Sequence, residues 1–426
     1  MPTELLVRWP RRRRVAGFLL CVAAQVGVVH ADTPAPAVQP ADQLQIVESV
    51  PTGTDYGAAG VARTPAVWQA MIAGAKQRID IAAFYVADKN GEALKPIMHA
   101  LAERARAGVR IRILTGPTFG KETAASLAPL ARLDHVTVRT LPVDALTGGV
   151  LHAKYFVVDG RETFIGSANW DWRAMDQIHE IGTRIRSPRL ARTVARVFDF
   201  DWRLAADGDL PAARKRAATP PDFTPVTMAA PIRLNDGGTA FVAFSPPALV
   251  PDWATPETDA LTHLIGSARH DLRIQVMTFS AINEYTPAGY WSSLDSAIRN
   301  AAARGVNVHI IVADWALREP MQAYLKSLTV LPNMTVKYSH VPEAARGFIP
   351  YARVEHAKYA VADDDTVYVG TGNWTKSYFT ASLDVGVFAH DHSAARTLAA
   401  IFTHDWHSKY VTTLQPGQHY DPPRTH

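Results

Sequence analysis

"LHAKYFVVDGRETFIGSANWDWRA", residues 151–174, reads as an apolar strand with polar residues where a sheet interior wants none. Tyr155, Phe156, Val157 and Val158 suit that interior; His152 and Lys154 do not. A second copy, "VEHAKYAVADDDTVYVGTGNWTKSYFTASLDVG", residues 354–386, superimposes on the first without a gap. His152, Lys154 and Asp159 match His356, Lys358 and Asp363. Gly166, Asn169 and Trp170 match Gly370, Asn373 and Trp374, with Ser167 against Thr371. Glu180 stands 28 residues after His152, and Asp384 stands 28 after His356. Core packing accounts for shared apolar positions. It does not account for a shared polar set at fixed spacing.

The duplication extends outward. "MIAGAKQRIDIAAFYV" from Met71 resembles "LIGSARHDLRIQVMTF" from Leu264, each a helix end running into a strand. "RARAGVRIRILTG" from Arg104 resembles "NAAARGVNVHIIVA" from Asn300 in the same way. "HVTVRTL" from His135 and "NMTVKYS" from Asn333 read as the strands ahead of each motif. This alternation predicts two α/β domains, each a mixed sheet flanked by helices, packed about a pseudo-twofold axis with the motifs face to face. The expected bounds are 45–205 and 232–415. A Pro- and Ala-rich linker at 206–231 would join them, with a further linker at 32–44 and a tail at 416–426.

At 426 residues the chain has room for two such cores. Arg11 to Arg14 precede an apolar run, Val15 to Val29, and Val29-His30-Ala31 offers a cleavage site, so residues 1–31 read as a signal peptide. The predicted location is therefore periplasmic or secreted. Cys21, the sole cysteine, lies inside this leader, which excludes disulfides and thiolate chemistry from the mature protein. Residues 1–31 hold five arginines and one glutamate; without them 39 basic and 39 acidic residues remain. A broad basic face for nucleic acid is therefore not expected.

On a strand, residues two apart share a face, so His152 projects with Lys154 and His356 with Lys358. Lysine is no metal ligand, and two imidazoles beside two ammonium groups form a cationic pocket, not a metal centre. Such a pocket suits an anion, and the amides of Asn169 and Asn373 add hydrogen bonds to its oxygens. A phosphodiester is the natural guest. One histidine can attack phosphorus while the other protonates the leaving oxygen. Glu180 and Asp384 are placed to hold the imidazoles by their far nitrogens. Asp159 and Asp363, with Ser167 and Thr371, read as structural members of the motif. Phe84, Tyr85, Trp170, Phe279 and Trp374 are the aromatic candidates for lining a substrate groove.

The double H-x-K-x4-D pattern followed by G-S/T-x-N resembles the phospholipase D superfamily over nearly all of residues 45–415. Within it, "GSANWDWRA", "IPYARVEHAKY", "GTGNWTKSYFT" and "AIFTHDW" resemble the animal lysosomal branch, whose members act as 5′ exonucleases on single-stranded DNA and RNA. The resemblance implies a phosphohistidine intermediate without a metal or other cofactor, with His152 as nucleophile and His356 as general acid. Other branches cleave or transfer phospholipid headgroups, so a phospholipase D acting in peripheral contact with a membrane is the alternative reading. A catalytically inactive phosphate-binding protein is a more remote one. The animal proteins carry a membrane anchor and disulfides, which the expected mature chain lacks.

Overall fold

The computed structural model describes residues 42–217, 222–283 and 289–426. The predicted signal peptide, 1–31, and most of the linker at 32–44 lie outside the described residues.

Seven strands form the main body of the first sheet: β1 (Gln43–Ser49), β2 (Arg78–Ala83), β3 (Arg110–Thr115), β4 (Val136–Thr140), β5 (Lys154–Val158), β6 (Glu162–Gly166) and β7 (Glu180–Arg186). Their order is β1-β7-β6-β5-β2-β3-β4. The second sheet repeats this plan with β8 (Thr239–Ser245), β9 (Asp271–Val276), β10 (Asn307–Ala313), β11 (Met334–Ser339), β12 (Lys358–Ala362), β13 (Thr366–Gly370) and β14 (Asp384–His390). They run β8-β14-β13-β12-β9-β10-β11. In each sheet the strand after the motif histidine pairs antiparallel with its neighbours, while β2-β3-β4 and β9-β10-β11 are parallel. Both sheets are mixed, and their connections match.

Three apolar cores hold this arrangement. One lies in the first half, between its sheet and helices Thr64–Gly74, Lys95–Arg106 and Gly120–Ala131. A second lies in the other half under helices Glu257–Ser267, Ser292–Ala303 and Met321–Leu328. The third is shared. Tyr155, Val157, Ile165 and Phe198 from the first half join Tyr359, Val361, Val369 and Ile401 from the second. Helix Pro188–Asp207 supplies much of this shared core. Its start is fixed by Ser187, whose hydroxyl accepts from Leu190 N at 3.3 Å, and by proline in its first turn. Gly208, at φ +66°, ends it in the left-handed region. Because this core is common property, the described residues form one compact unit and not two separable domains.

The expected segment bounds need correction. The segment 206–231 is not a bare linker: helix Leu210–Arg216 occupies part of it, capped by Asp209, whose carboxylate accepts from Ala212 N at 2.9 Å. Val226 is buried within the same segment. Residues 416–426 are docked, not a free tail. Tyr420 is buried, with its carbonyl receiving Gln322 Nε2 at 2.8 Å and its amide donating to Gln322 Oε1 at 3.1 Å. At the front, β1 begins at Gln43, inside the span assigned to the linker.

Asp159 and Asp363 do similar structural work. Each sits in the left-handed region at φ +54°, just past its motif strand. The Asp159 carboxylate accepts from the amides of Lys76, Gln77 and Arg78, each at 2.8 Å. Asp363 accepts from Arg269, His270 and Asp271 at 2.8–2.9 Å. Each thus ties the end of β5 or β12 to the start of the neighbouring β2 or β9.

Candidate active site

His152 and His356 precede β5 and β12 by two residues, so neither lies within a regular strand. What fixes them is the opposite half. His152 N donates to Leu383 O, and His356 N donates to His179 O, both at 2.9 Å. The imidazoles are crossed in the same sense. His152 Nδ1 lies 2.8 Å from Asp384 Oδ1, and His356 Nδ1 lies 2.9 and 2.8 Å from the two oxygens of Glu180. Each acid opens the strand β14 or β7 of the half that does not carry its histidine. With Nδ1 engaged, Nε2 of each ring is the nitrogen left for chemistry.

Lys154 and Lys358 are buried, and the ammonium of each donates to the carbonyl of the histidine two residues earlier. Asn169 and Asn373 are also buried, with side-chain oxygens that have no protein partner. Thr371 donates to Asp384 Oδ1 at 2.6 Å while accepting from Val385 N at 3.0 Å. Ser167, its counterpart, donates to Ile181 O at 3.1 Å and accepts from Ile181 N at 3.0 Å. Gly166 faces Gly182 across β6 and β7, where an added Cβ would lie 2.5 Å from the Gly182 Cα, so these strands need glycine to approach.

Burial dominates the electrostatics. It pushes His152 well below the ordinary imidazole value, reinforced by Lys154, Lys358 and His356. His356 is also lowered, by burial and Lys358, with Glu180 opposing the shift. Burial takes Lys358 down to about 7 against the pull of Glu180, Glu355 and Asp384. Lys154 falls well below its ordinary value through burial, with Asp384 opposing. Asp384 is raised to about 7 by burial, with Lys154 and Thr371 opposing. An anionic guest would supply the negative charge that these buried cations lack.

Three of the aromatic candidates are not groove residues. Trp170 packs against Trp68 at 4.6 Å and Phe156 at 5.7 Å, while Phe279 and Trp374 meet edge-on at 5.8 Å. All three are buried core, because β-pairing of Val86 with Trp170 and of Phe279 with Trp374 turns the rings inward. Phe84 and Tyr85 are only partly buried, and the Phe84 ring lies 4.9 Å from that of His152. Sequence reasoning missed Tyr378, whose ring meets His152 edge-on at 4.7 Å, and Phe119, which packs on Phe84 and Tyr85.

It also missed a buried charged network behind His356. His179 Nδ1 lies 2.6 Å from Glu355 Oε2, and its Nε2 lies 3.1 Å from Glu48 Oε1. Gln275 Nε2 bridges Glu355 and Asp405 at 2.8 Å each, and Arg63 pairs with Glu48. Burial pushes His179 down, but Glu355, Asp405 and Glu48 overcome it and hold the imidazole well above its ordinary value. Ligand atoms of His179, Glu355 and Asp405 lie within 4.8 Å of one another, the one such donor set of metal-binding type among the described residues. Both nitrogens of His179 are already directed at carboxylates, so an imidazolium fills the place a cation would take. The signal was adjacent to the motifs: His179 precedes Glu180 and Glu355 precedes His356.

A family model described as "Cardiolipin synthase, PLD-like domain" matches residues 69–202 and 261–406. The chain is 34% identical over 410 residues to the 5′-3′ exonuclease PLD3 of Bos taurus, covering 89% of this chain and 82% of that protein. It is 32% identical to the 5′-3′ exonuclease PLD4 of Mus musculus, covering 87% and 80%. The crystal structure of phosphatidylserine synthase from Haemophilus influenzae shares the fold, with a TM-score of 0.60 at 14% identity over 82% of this chain and 85% of that one.

Proposed function

Because this chain belongs to the phospholipase D superfamily, as a phosphodiester hydrolase of the branch that includes PLD3 and PLD4, we propose that it cleaves single-stranded nucleic acid as a 5′ exonuclease through a phosphohistidine. The observation that carries the mechanism is the crossed pairing of His152 with Asp384 and His356 with Glu180. The substrate class follows the relatives, which are named as 5′-3′ exonucleases.

In the first step the Nε2 lone pair of His152 forms a bond to phosphorus. The bond from phosphorus to the leaving nucleoside oxygen breaks, and that oxygen takes the proton of His356 Nε2. In the second step neutral His356 removes a proton from water. The water oxygen bonds phosphorus, the P–N bond breaks, and His152 is restored. The histidine environments support this division of labour. The stronger depression of His152 keeps its nucleophilic nitrogen unprotonated, while Glu180 favours the imidazolium form of His356. Lys154, Lys358, Asn169 and Asn373 would hold the non-bridging oxygens as charge gathers on them. The ammonium groups of Lys154 and Lys358 would provide what a metal would otherwise supply, so turnover is expected to be metal-independent. The N-terminal leader supports export, and the N-terminal sequence of protein recovered outside the cytoplasm tests that directly.

The deciding experiment incubates the purified mature protein with a 5′-hydroxyl oligonucleotide and, separately, with phosphatidylcholine vesicles, each with EDTA. Nucleotide release that survives EDTA is expected. Turnover of the lipid beside an inert oligonucleotide would overturn the substrate reading, and restoration by a divalent ion would overturn the mechanism.

A further inference from the structure

The internal repeat provides a control for every residue around the catalytic pair. Phe84 and Tyr85 follow β2, where the equivalent residues after β9 are Met277 and Thr278. Tyr378, which covers His152, corresponds to Ala174 in the first half. Phe119 stands in the turn after β3. The matching turn after β10, Asp314–Leu317, buries Ala316 and Leu317 and leaves Trp315 half-buried against the core. The two halves share one plan and one catalytic set, yet among the described residues the aromatic wall stands over His152 and not over His356. Folding alone does not require it.

Phe119 carries two costs. The residue is 53% exposed, and its backbone lies at φ +58°, ψ +26°, the left-handed region that a residue with a side chain adopts only at a cost. The ring meets Phe84 edge-on and Tyr85 at a tilt, with centroids 5.6 and 5.1 Å apart. The rings beneath it are held in place. Tyr85 donates to Asp171 Oδ2 at 2.7 Å, and Asp171 in turn takes Arg173 Nε at 2.9–3.0 Å. The Lys154 ammonium lies 5.1 Å from the centroid of the Phe84 ring. A fixed run of rings thus leads from the nucleophilic imidazole through Phe84 to an exposed phenyl group.

We propose that Phe84, Tyr85 and Phe119 form a stacking subsite for the base of the nucleotide that stays joined to His152 in the covalent intermediate. This rests on the nucleic-acid reading above and names where that substrate is held. A flat base gains from a ring face whatever its identity, so the subsite would recognise a nucleobase without selecting among the four. An acyl chain would gain as much from the methionine and leucine of the other half, and would give no reason to strain a phenylalanine into solvent.

The test compares single-stranded oligonucleotides that differ only in whether the nucleotide retained on the enzyme has a base or is abasic, with bis(p-nitrophenyl) phosphate as a small ester. The wild type is expected to favour the base by about 10-fold, expressed in KM and not in kcat. In Phe119→Leu that preference should fall towards one, and Phe119→Trp should retain it. An oligonucleotide cleaved equally well with and without the base would overturn the subsite and leave the nuclease reading standing. An inert oligonucleotide beside a hydrolysed small ester would overturn the nuclease reading, and the subsite with it. A Phe119→Leu defect seen with phosphatidylcholine vesicles instead would assign the wall to lipid.

Discussion

Behind His152 the parallel bridge between the halves joins Leu151 to Leu383; behind His356 the equivalent bridge joins Glu355 to His179. The substitution continues around each site. Phe244 stands where Glu48 does, and Ala82 where Gln275 does. One imidazole therefore sits against an apolar wall and the other against buried ion pairs. The motif residues are kept in both halves while their surroundings differ, and burial lowers His152 further than His356, where Glu180 opposes the shift. Paired titratable groups given different surroundings are what a nucleophile and an acid require.

The largest effect should separate the two histidines. His152→Ala is expected to lose on the order of 10²–10⁴-fold in kcat with every substrate. His356→Ala should lose as much in steady-state turnover with either substrate, because His356 also activates the water. It should yet keep a near wild-type burst of p-nitrophenol from bis(p-nitrophenyl) phosphate, whose leaving group needs no protonation. Loss of that burst in His356→Ala, or its survival in His152→Ala, would erase the distinction between the sites.

Next in size is the stability of the two walls. Glu355→Leu leaves His179 with part of its partnering removed, and His179→Leu leaves three buried carboxylates without their shared cation. Urea titration should show either variant losing about 3–5 kcal/mol. The pH dependence should carry opposite signs. His179 is raised in the fold, so its contribution is complete below the ordinary imidazole value and fades as pH rises through its folded value. His152 is lowered, so its contribution is complete above the ordinary value and is lost as pH falls. The destabilisation caused by His179→Leu should therefore be greatest near pH 5 and shrink in alkali. His152→Gln should instead be relatively more stable near pH 5 than near pH 8. The same slope for both variants would contradict the contrast.

The smallest effect lies where the halves agree. Asp159→Ala and Asp363→Ala each remove a cap on backbone amides and should each cost about 1–2 kcal/mol. The two losses, read from the same titration, should be alike. A much larger loss in one half would show that the repeat is not equivalent even in its frame.

The repeat made most of this legible. Alternating helix and strand patterns in each half predict the two matching sheets, and the H-x-K spacing marks the histidines and lysines that the fold brings together. The crossing of the acids was not legible, because a spacing of 28 residues is the same whichever histidine is served. Trp170 and Trp374 misled because an aromatic beside a motif asparagine looks the same whether it faces the cleft or the core. Asp209-Leu210-Pro211 is a helix start hidden in a segment whose composition suggests a linker. His179 and Glu355 each sit next to a motif residue, and only their meeting across the halves gives them meaning.

On the proposed mechanism the two histidines are chemically distinct, with His152 carrying the phosphoryl group. The most direct measurement digests His356→Ala protein quenched during turnover of bis(p-nitrophenyl) phosphate and maps phosphorylated peptides by mass spectrometry under conditions that preserve phosphohistidine. The modification is expected on the peptide containing His152, and none in His152→Ala. A phosphoryl group on His356 in His152→Ala protein would contradict it.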